Sequence, residues 1–392
     1  MNNSLKSFLL MILAMPVIIP VTAQQQPEWQ SQYAVGLNKL APHTYVWPYG
    51  SASEVQKGAY EQSPYYMSLN GKWKFNWVKN PDNRPKDFYK PAFYTGGWAD
   101  IDVPGNWERQ GYGTAIYVNE AYEFDDKMFN FKKNPPLVPY KENEVGSYRR
   151  TFTIPAGWEG RRVVLCCEGV ISFYYIWVNG EFLGYNQGSK TAAEWDITDK
   201  LVNGENTIAL EVYRWSSGSY LECQDFWRIS GIERDVFLYS QPQAALKDFR
   251  IKSTLDDTYK DGIFALSADL RNHRPAGTNL SVVYELLDKN GQVVATEEKT
   301  TYVPEGEFRT VSFSQKIPAV LTWTSEHPNL YKLLMTVKEN GKVNEIVPFN
   351  VGFRRIEIKE SKQLAANGKP YTLLFINGQP LKLKGVNIHE HN

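Results

Sequence analysis

Cysteine and histidine are scarce in this chain of 392 residues, and it has no excess of either charge. Only 3 Cys and 5 His occur, and 43 basic residues balance 43 acidic ones. So few cysteines in so long a chain do not make a disulfide framework, and we interpret them as small buried residues. The balanced charge argues against nucleic acid or an anionic membrane surface as the main partner.

The chain also has only one sizeable apolar run, at its amino terminus. Lys6 precedes this run over residues 8–21, and the small residue Ala23 stands before three glutamines. This order is typical of a secretory signal peptide, so we predict that residues 1–23 are removed. A membrane anchor is disfavoured because a spanning helix needs about 20 apolar residues. We therefore expect no membrane span and an exported protein, in the periplasm or alternatively at the cell surface or secreted.

No stretch after this run has a long apolar stripe at helical spacing. Short runs of β-branched and aromatic residues occur instead, for example over 162–165, 207–212 and 281–286. The pair Asn-Gly, which suits tight hairpin turns, recurs between such runs. Adjacent Cys166 and Cys167 would point to opposite faces of one strand. The pattern predicts a mainly β protein built of sandwiches. The Asn-Gly pairs are Asn70-Gly71, Asn179-Gly180, Asn203-Gly204, Asn290-Gly291, Asn340-Gly341, Asn367-Gly368 and Asn377-Gly378.

The aromatic residues divide the chain. Of the 12 Trp, only Trp323 lies after residue 230. This richness fits a large all-β core or a carbohydrate-binding surface, and composition alone favours the core. We place a domain boundary at Gln241-Pro242-Gln243, which gives a first domain over 24–241 and a second sandwich over 242–353. Residues 354–392 form a third segment, in which a hairpin followed by a buried strand, up to Asn387, is predicted to begin another domain.

Two places could carry chemistry. The stretch 213–235 mixes acids, arginines and aromatic rings, which fits equally a binding loop or an internal corner of salt bridges. At the end of the chain, His389 and His391 would share one face of a strand with Glu390 on the other. Local hydrogen bonds are favoured there over zinc, since further ligands are not visible. The sequence has no nucleophile elbow and no phosphate loop, and spacing singles out no pair of catalytic acids.

A series of motifs resembles the β-galactosidases of glycoside hydrolase family 2. The most specific is Arg214-Trp215-Ser216 followed by Gln224-Asp225-Phe226-Trp227-Arg228-Ile229-Ser230-Gly231-Ile232. The others follow the family order and are found at residues 68–75, 103–108, 111–113, 116–119, 146–150, 173–180, 184–187, 351–354 and 384–391.

The resemblance implies a jelly-roll sugar-binding sandwich, then an immunoglobulin-like sandwich, then the first strand of a (β/α)8 barrel that is incomplete here. It also implies hydrolysis of terminal non-reducing β-D-galactose residues with retention of configuration. Such enzymes use two carboxylates about 5 Å apart. In the family both lie later in the barrel, so we expect the 392-residue chain to be inactive by itself.

The resemblance also assigns roles to residues. Asn119 would line the galactose pocket, Asp225 would bind galactose and help to hold a sodium ion, and His389 would contact the sugar and stabilise the transition state. Ile388 and Asn392 replace an Arg and a His of the family pattern, which leaves the details of the subsite open. The family's magnesium ligands are not in this chain.

The expected partner is a β-galactoside oligosaccharide or glycan, and a homo-oligomer is left open. Two alternatives remain. One is a non-catalytic carbohydrate-binding module made of the sandwiches alone. The other is a related exo-glycosidase, such as a β-glucuronidase or a β-mannosidase.

Overall fold

The computed structural model describes residues 26–55, 60–119, 122–125 and 129–387. The predicted signal peptide and His389 lie outside these residues. The helices whose bounds are described are α1 (Ala52–Val55) and short 3-10 turns, and strands form the architecture. The expected mainly β class is confirmed. No described helix is long and apolar enough to cross a membrane. The 3-10 turns are Glu28–Gln30, Tyr60–Gln62, Pro81–Asn83, Glu108–Gln110, Thr198–Lys200 and Ser217–Tyr220.

The first sandwich consists of antiparallel strands. They are β1 (Tyr66–Ser68), β2 (Gly71–Val78), β3 (Ala99–Val103), β4 (Gly105–Asn106), β5 (Ile116–Val118), β6 (Val145–Thr153), β7 (Arg162–Cys167), β8 (Val170–Ile171), β9 (Phe173–Val178), β10 (Glu181–Gln187), β11 (Ala193–Asp196), β12 (Glu205–Tyr213), β13 (Phe226–Arg228), β14 (Gly231–Ile232) and β15 (Val236–Gln241). The main sheets have the orders β10-β9-β12-β6-β2-β3 and β1-β15-β7-β11. Two small sheets, β13-β5 and β4-β14-β8, complete this part.

The two main sheets enclose an aromatic core. Trp73, Trp107 and Trp195 are buried in it, so these tryptophans serve packing, as composition suggested. Because strand side chains alternate, Cys167 faces this core while Cys166 packs in a separate cluster with Phe237 on the opposite face of β7. The prediction of opposite faces is confirmed.

All three cysteines are free, which bears out the prediction that no disulfide framework exists. The expectation that all three are buried is wrong for Cys223, which is half-buried. Cys223 lies in a loop at the side of a cleft, between a 3-10 turn and β13, and so it lacks the sheet neighbours that cover Cys166 and Cys167.

The outer face of the six-stranded sheet is partly covered. Trp29, Phe124 and Trp215 pack there against Phe173 and Tyr213, which form a second aromatic cluster. This cover comes from the segment around the first 3-10 turn and from the long connection between β5 and β6. The rest of this face, around Trp177, remains a groove.

The second sandwich follows directly, since β15 ends at Gln241 and the next strand begins at Ala244. Its sheets are β16-β17-β20 and β19-β18-β21-β22, and its core includes Phe264, Tyr284 and Met335. The strands are β16 (Ala244–Leu255), β17 (Gly262–Asn272), β18 (Thr278–Leu287), β19 (Val293–Val303), β20 (Phe308–Ile317), β21 (Tyr331–Glu339) and β22 (Lys342–Val351).

A small antiparallel sheet follows, made of β23 (Ile356–Leu364), β24 (Pro370–Ile376) and β25 (Gln379–Pro380). The hairpin predicted here is present. The buried strand predicted after it is not, because residues 381–387 belong to no strand and are mostly exposed. A buried strand needs paired strands beside it, and the described residues place none next to this segment. No closed barrel occurs in the described part of the chain.

Three of the Asn-Gly pairs form two-residue hairpin turns, between β9 and β10, β21 and β22, and β24 and β25. In each, both residues have positive φ, for example 51° at Asn179 and 84° at Gly180. This backbone matches the twist of the flanking strands, which is why the pair predicts hairpins.

Candidate functional site

The two-stranded ribbon β5–β13 brings together two residues that the sequence singled out. Phe226 pairs with Val118 and Trp227 with Tyr117 in antiparallel register. Asn119 directly follows Val118, and Asp225 directly precedes Phe226, so the two lie at the same end of the ribbon. Both are exposed. The structure therefore places an amide and a carboxylate at one end of the ribbon, although they are far apart in sequence.

Aromatic side chains flank this pair. The Tyr117 hydroxyl donates a hydrogen bond to Oδ1 of Asp225, and its ring meets that of Trp227 edge-on at a centroid distance of 5.6 Å. The pKa of Tyr117 is raised because its hydroxyl donates to this carboxylate. Trp227 is 42% exposed. A carboxylate acceptor beside an open indole face is suited to a ligand that has both hydroxyls and an apolar side.

A cleft of about 300 Å³ lies beside the ribbon. Its polar side includes Glu222, which accepts hydrogen bonds from the backbone N–H (2.7 Å) and the hydroxyl (2.5 Å) of Ser189. Lys190 also lines the cleft and forms an ion pair with Glu233 at 2.7 Å. This volume is at the lower end of the roughly 300–1,000 Å³ usual for small-molecule sites.

Arg228 holds the loop before β13 in place. Its guanidinium donates to the carbonyl of Gln224, to Cys223 Sγ at 3.0 Å and to the carbonyl of Val118 at 3.4 Å. It also lies 4.7 Å from the centre of the Phe226 ring. Since Asp225 stands between Gln224 and Phe226, these contacts fix the backbone on both sides of the carboxylate. Arg228 is therefore a positioning residue for Asp225.

Arg214 forms the floor of the cleft and is almost fully buried among carboxylates. It reaches Glu144 at 2.9 Å, Glu123 at 3.2 Å and Glu108 at 3.8 Å, and it donates to the carbonyl of Thr114 at 3.0 Å. Glu108 comes from the connection between β4 and β5, and Glu123 and Glu144 come from that between β5 and β6, so one guanidinium ties together the connections on both sides of β5.

Burial raises the pKa of two of the acids around Arg214. Burial raises the pKa of Glu108 to about 7, although Glu108 accepts the N–H of Ser230 at 2.9 Å. Burial also raises the pKa of Glu123, against the opposing effect of Arg214. Three carboxylates around one guanidinium would carry a net negative charge, and protonation of Glu108 reduces it.

The stretch 213–235 thus combines both functions considered for it. Its first residue after β12, Arg214, belongs to an internal salt-bridge corner, and Asp225 and Trp227 belong to the open ribbon. Sequence reasoning missed Tyr117 as the partner of Asp225 and missed the acids that surround Arg214. Glu108 and Tyr117 lie within the motifs at 103–108 and 116–119, but no local pattern pairs them with Arg214 or Asp225, because these contacts span a long separation along the chain.

The described residues contain no group of three or more His, Cys, Asp or Glu side chains that could hold a metal ion. Asp225 is one hard oxygen ligand, which fits the chemistry of a sodium ion. A full shell for such a cation needs several oxygens, as with other hard metal ions. The predicted site at His389 lies outside the described residues.

Comparison with known proteins places these features in a family. Residues 66–242 match the model of the glycosyl hydrolases family 2 sugar binding domain, and residues 244–354 match a second model of glycosyl hydrolases family 2. A β-galactosidase of Priestia megaterium is 42% identical over 371 residues, which cover 94% of this chain and 34% of that protein. A β-galactosidase of Streptococcus thermophilus is 37% identical and covers 91% of this chain and 32% of its own length. The chain thus spans about a third of these relatives.

Solved structures show the same fold at lower identity. A β-glucuronidase of Bacteroides uniformis superposes with a TM-score of 0.65 at 22% identity, covering 82% of this chain and 35% of its own. A putative β-galactosidase from Bacteroides fragilis gives 0.57 at 21% identity, covering 81% of this chain and 43% of its own.

Proposed function

Because the chain belongs to glycoside hydrolase family 2, we propose that it supplies sugar-binding residues to a retaining β-galactosidase. The observation that carries this proposal is the ribbon β5–β13, which places Asn119 and Asp225 at one end, next to a cleft lined by Gln224, Phe226 and Trp227. The β-galactosidases among its relatives, at 37–42% identity, support galactose as the sugar.

Each residue of the ribbon has a distinct task in this proposal. Asp225 would accept hydrogen bonds from sugar hydroxyls, because an ionised carboxylate acts only as an acceptor and has two oxygens. The Asn119 amide both donates and accepts, so it can complete the hydrogen bonds of a neighbouring hydroxyl. Trp227 covers the apolar side of the ring. Together they would orient a terminal galactose before the bond is cleaved.

The bond-breaking carboxylates are assigned to none of the described residues. A retaining enzyme needs a nucleophile and an acid/base about 5–5.5 Å apart on opposite sides of the scissile bond. Glu108, Glu123 and Glu144 are committed to Arg214, although Glu123 also lines the cleft. We therefore expect no turnover by the 392-residue chain alone. His389 would bind the sugar and stabilise the transition state from the catalytic domain.

Metal ions enter the proposal only through Asp225. Its carboxylate would be one ligand of a sodium ion, which would supply a fixed positive charge near the sugar. No described residue is assigned to magnesium.

A β-glucuronidase is the alternative enzyme, and the charges of the cleft argue against it. A glucuronide carries a carboxylate and needs a cationic partner. Three cations line the cleft. Lys190 is paired with Glu233, Arg214 is surrounded by three acids, and Arg228 donates to the carbonyls of Gln224 and Val118. A neutral sugar fits these surroundings better.

The test uses the product of the complete reading frame, assayed on aryl β-galactoside and aryl β-glucuronide. Loss of the charged hydrogen bonds in Asp225→Ala should lower kcat/KM on the galactoside about 10- to 150-fold, the equivalent of about 1.5–3 kcal/mol. Asp257→Ala is the matched control, since this carboxylate is 95% exposed in the second sandwich. Preference for the glucuronide, or equal activity of Asp225→Ala and wild type, would overturn the proposal.

A binding module without hydrolysis is the other outcome to separate. If the complete product binds galactose in a way that depends on Asp225 but cleaves neither substrate, the ribbon is a sugar site and the enzyme proposal fails.

We also propose that the protein is exported after cleavage behind Ala23, to the periplasm, the cell surface or the medium. Amino-terminal sequencing of the mature protein should begin at Gln24. A protein that retains Met1 would contradict this proposal. A homo-oligomer remains open and can be tested by light scattering on the same sample.

A further inference from the structure

We propose that the outer face of the first sandwich carries a second carbohydrate-binding site, separate from the ribbon. This outer-face groove is lined by Arg84, Tyr89, Tyr175, Trp177, Phe182 and Glu211 and has a volume of about 470 Å³. It shares no lining residue with the cleft beside the ribbon. The inference goes beyond the proposed hydrolysis and does not depend on it.

The alternation of side chains along β9 produces the groove. Tyr174, Ile176 and Val178 point into the core, so Tyr175 and Trp177 must point outward. An aromatic ring on this face is normally buried by other side chains. The second aromatic cluster buries only the part of the face around Phe173. Trp177 remains half-buried and Phe182 is 44% exposed.

The rings of the groove support one another. Tyr89 stacks on Trp177 at a centroid distance of 4.9 Å with an interplanar angle of 7°, and Phe182 contacts Trp177 at 5.6 Å. Tyr175 links Trp177 to Tyr213 on the next strand, at 6.0 and 5.9 Å. These contacts hold the rings rigid before a ligand arrives, so little conformational entropy is lost on binding.

A polar pair stands among the rings. Arg84 Nε donates to Glu211 Oε1 at 2.9 Å, and the Tyr213 hydroxyl donates to the same oxygen at 2.7 Å. Arg84 also donates to the carbonyl of Pro81 at 2.8 Å. These bonds use two nitrogens of a guanidinium that has five N–H groups, so donors remain for a ligand. The side chain of Glu211 is only 8% exposed and that of Arg84 25%.

This combination selects a neutral sugar over other occupants. The Arg84–Glu211 ion pair is internally balanced, and the other charged residues of the lining, Glu28, Lys86 and Asp87, carry both signs. A purely apolar ligand would bury the polar pair without new hydrogen bonds, which is costly. A sheet face offers no free strand edge for an extended peptide. A pyranose satisfies both parts, since its apolar face can lie on the rings while its hydroxyls meet Arg84.

The test is calorimetric titration of the 392-residue chain with two probes, methyl β-D-galactoside and β-1,4-galactotetraose. The groove should bind the tetraose, and Trp177→Ala should weaken that binding about tenfold. Tyr302→Ala is the matched control, because it removes an exposed aromatic ring from the second sandwich, and it should leave tetraose binding unchanged.

Phe182→Ala is a second test. This ring is exposed, so its removal should weaken tetraose binding without opening the core, and Phe182→Trp, which keeps an aromatic ring there, should bind the tetraose. Unchanged melting temperatures exclude unfolding as the cause. The proposed function is tested separately. If Asp225→Ala does not lower the activity of the complete enzyme, the proposed function fails, and the inference about the groove is unaffected. The inference is overturned if the chain does not bind the tetraose, or if wild type, Trp177→Ala and Phe182→Ala bind it equally.

Discussion

Glu345 joins the two sandwiches through a buried carboxylate. It lies on β22, is fully buried, and accepts the N–H of Leu246 at 2.6 Å and an N–H of the Gln241 side chain at 3.4 Å. Gln241 ends β15 and also donates to the carbonyl of Leu246 at 3.0 Å. The Glu345 carboxylate therefore stabilises the junction between the two sandwiches.

Burial raises the pKa of Glu345 from 4.5 to about 7, against the opposing effect of its hydrogen bonds. Between these values the unfolded chain has released the proton while the folded chain keeps it. The protonated Glu345 therefore contributes its full stabilisation below its pKa in the unfolded chain. This stabilisation is lost as the pH rises through its pKa in the folded chain. The free energy of unfolding should thus fall by about 3 kcal/mol across this window because of Glu345 alone.

The assay compares thermal unfolding of wild type and Glu345→Gln as a function of pH. The amide cannot ionise, so the two proteins should be similar near about pH 5, and the variant should be more stable near about pH 8 by up to about 3 kcal/mol. That difference corresponds to roughly 10 °C in the melting of a domain of this size. Glu305→Gln, an exposed glutamate of the same sandwich, should show no such pH dependence.

A difference in Tm between wild type and Glu345→Gln that stays constant from acid to alkaline pH would refute this reasoning. It would mean that the carboxylate keeps one protonation state throughout and that its hydrogen bonds offset the cost of burial.

Three further changes test other parts of the structure. Arg214→Met leaves three buried acids without their cation and should cost about 3–5 kcal/mol in denaturant unfolding at neutral pH, whereas exposed Arg234→Met should change stability by less than about 0.5 kcal/mol. Gly146→Ala places a Cβ 2.6 Å from the Trp107 ring and 2.7 Å from that of Phe75, so thermal unfolding should show a loss of about 1–3 kcal/mol. A chromogenic disulfide should label half-buried Cys223 in the native protein and reach Cys167 only after unfolding, because burial raises the pKa of that thiol to about 12.

The sequence predicted what depends on local pattern. Strand periodicity placed Cys166 and Cys167 on opposite faces, and Asn179-Gly180 predicted a hairpin, because both depend on a few neighbouring residues. The resemblance to family 2 named Asn119 and Asp225, and the ribbon brings them together.

What the sequence did not reveal depends on long-range contacts. The acids around Arg214 come from connections that no local pattern links, and the burial of Glu345 follows from the docking of one sandwich on the other. The predicted buried strand over 381–387 was wrong because hydrophobic composition alone does not supply the strands beside it.

The ribbon β5–β13 also has a consequence for the order of folding. Tyr117 and Asp225 are 108 residues apart, and strands β6 to β12 of the first sandwich lie between them. Contacts over such distances form late, because closing a long loop costs entropy before any contact compensates for it. In refolding, the hairpin β9–β10 should therefore form early, and the capacity to hold a sugar should return only after most of the β-sheet signal has recovered.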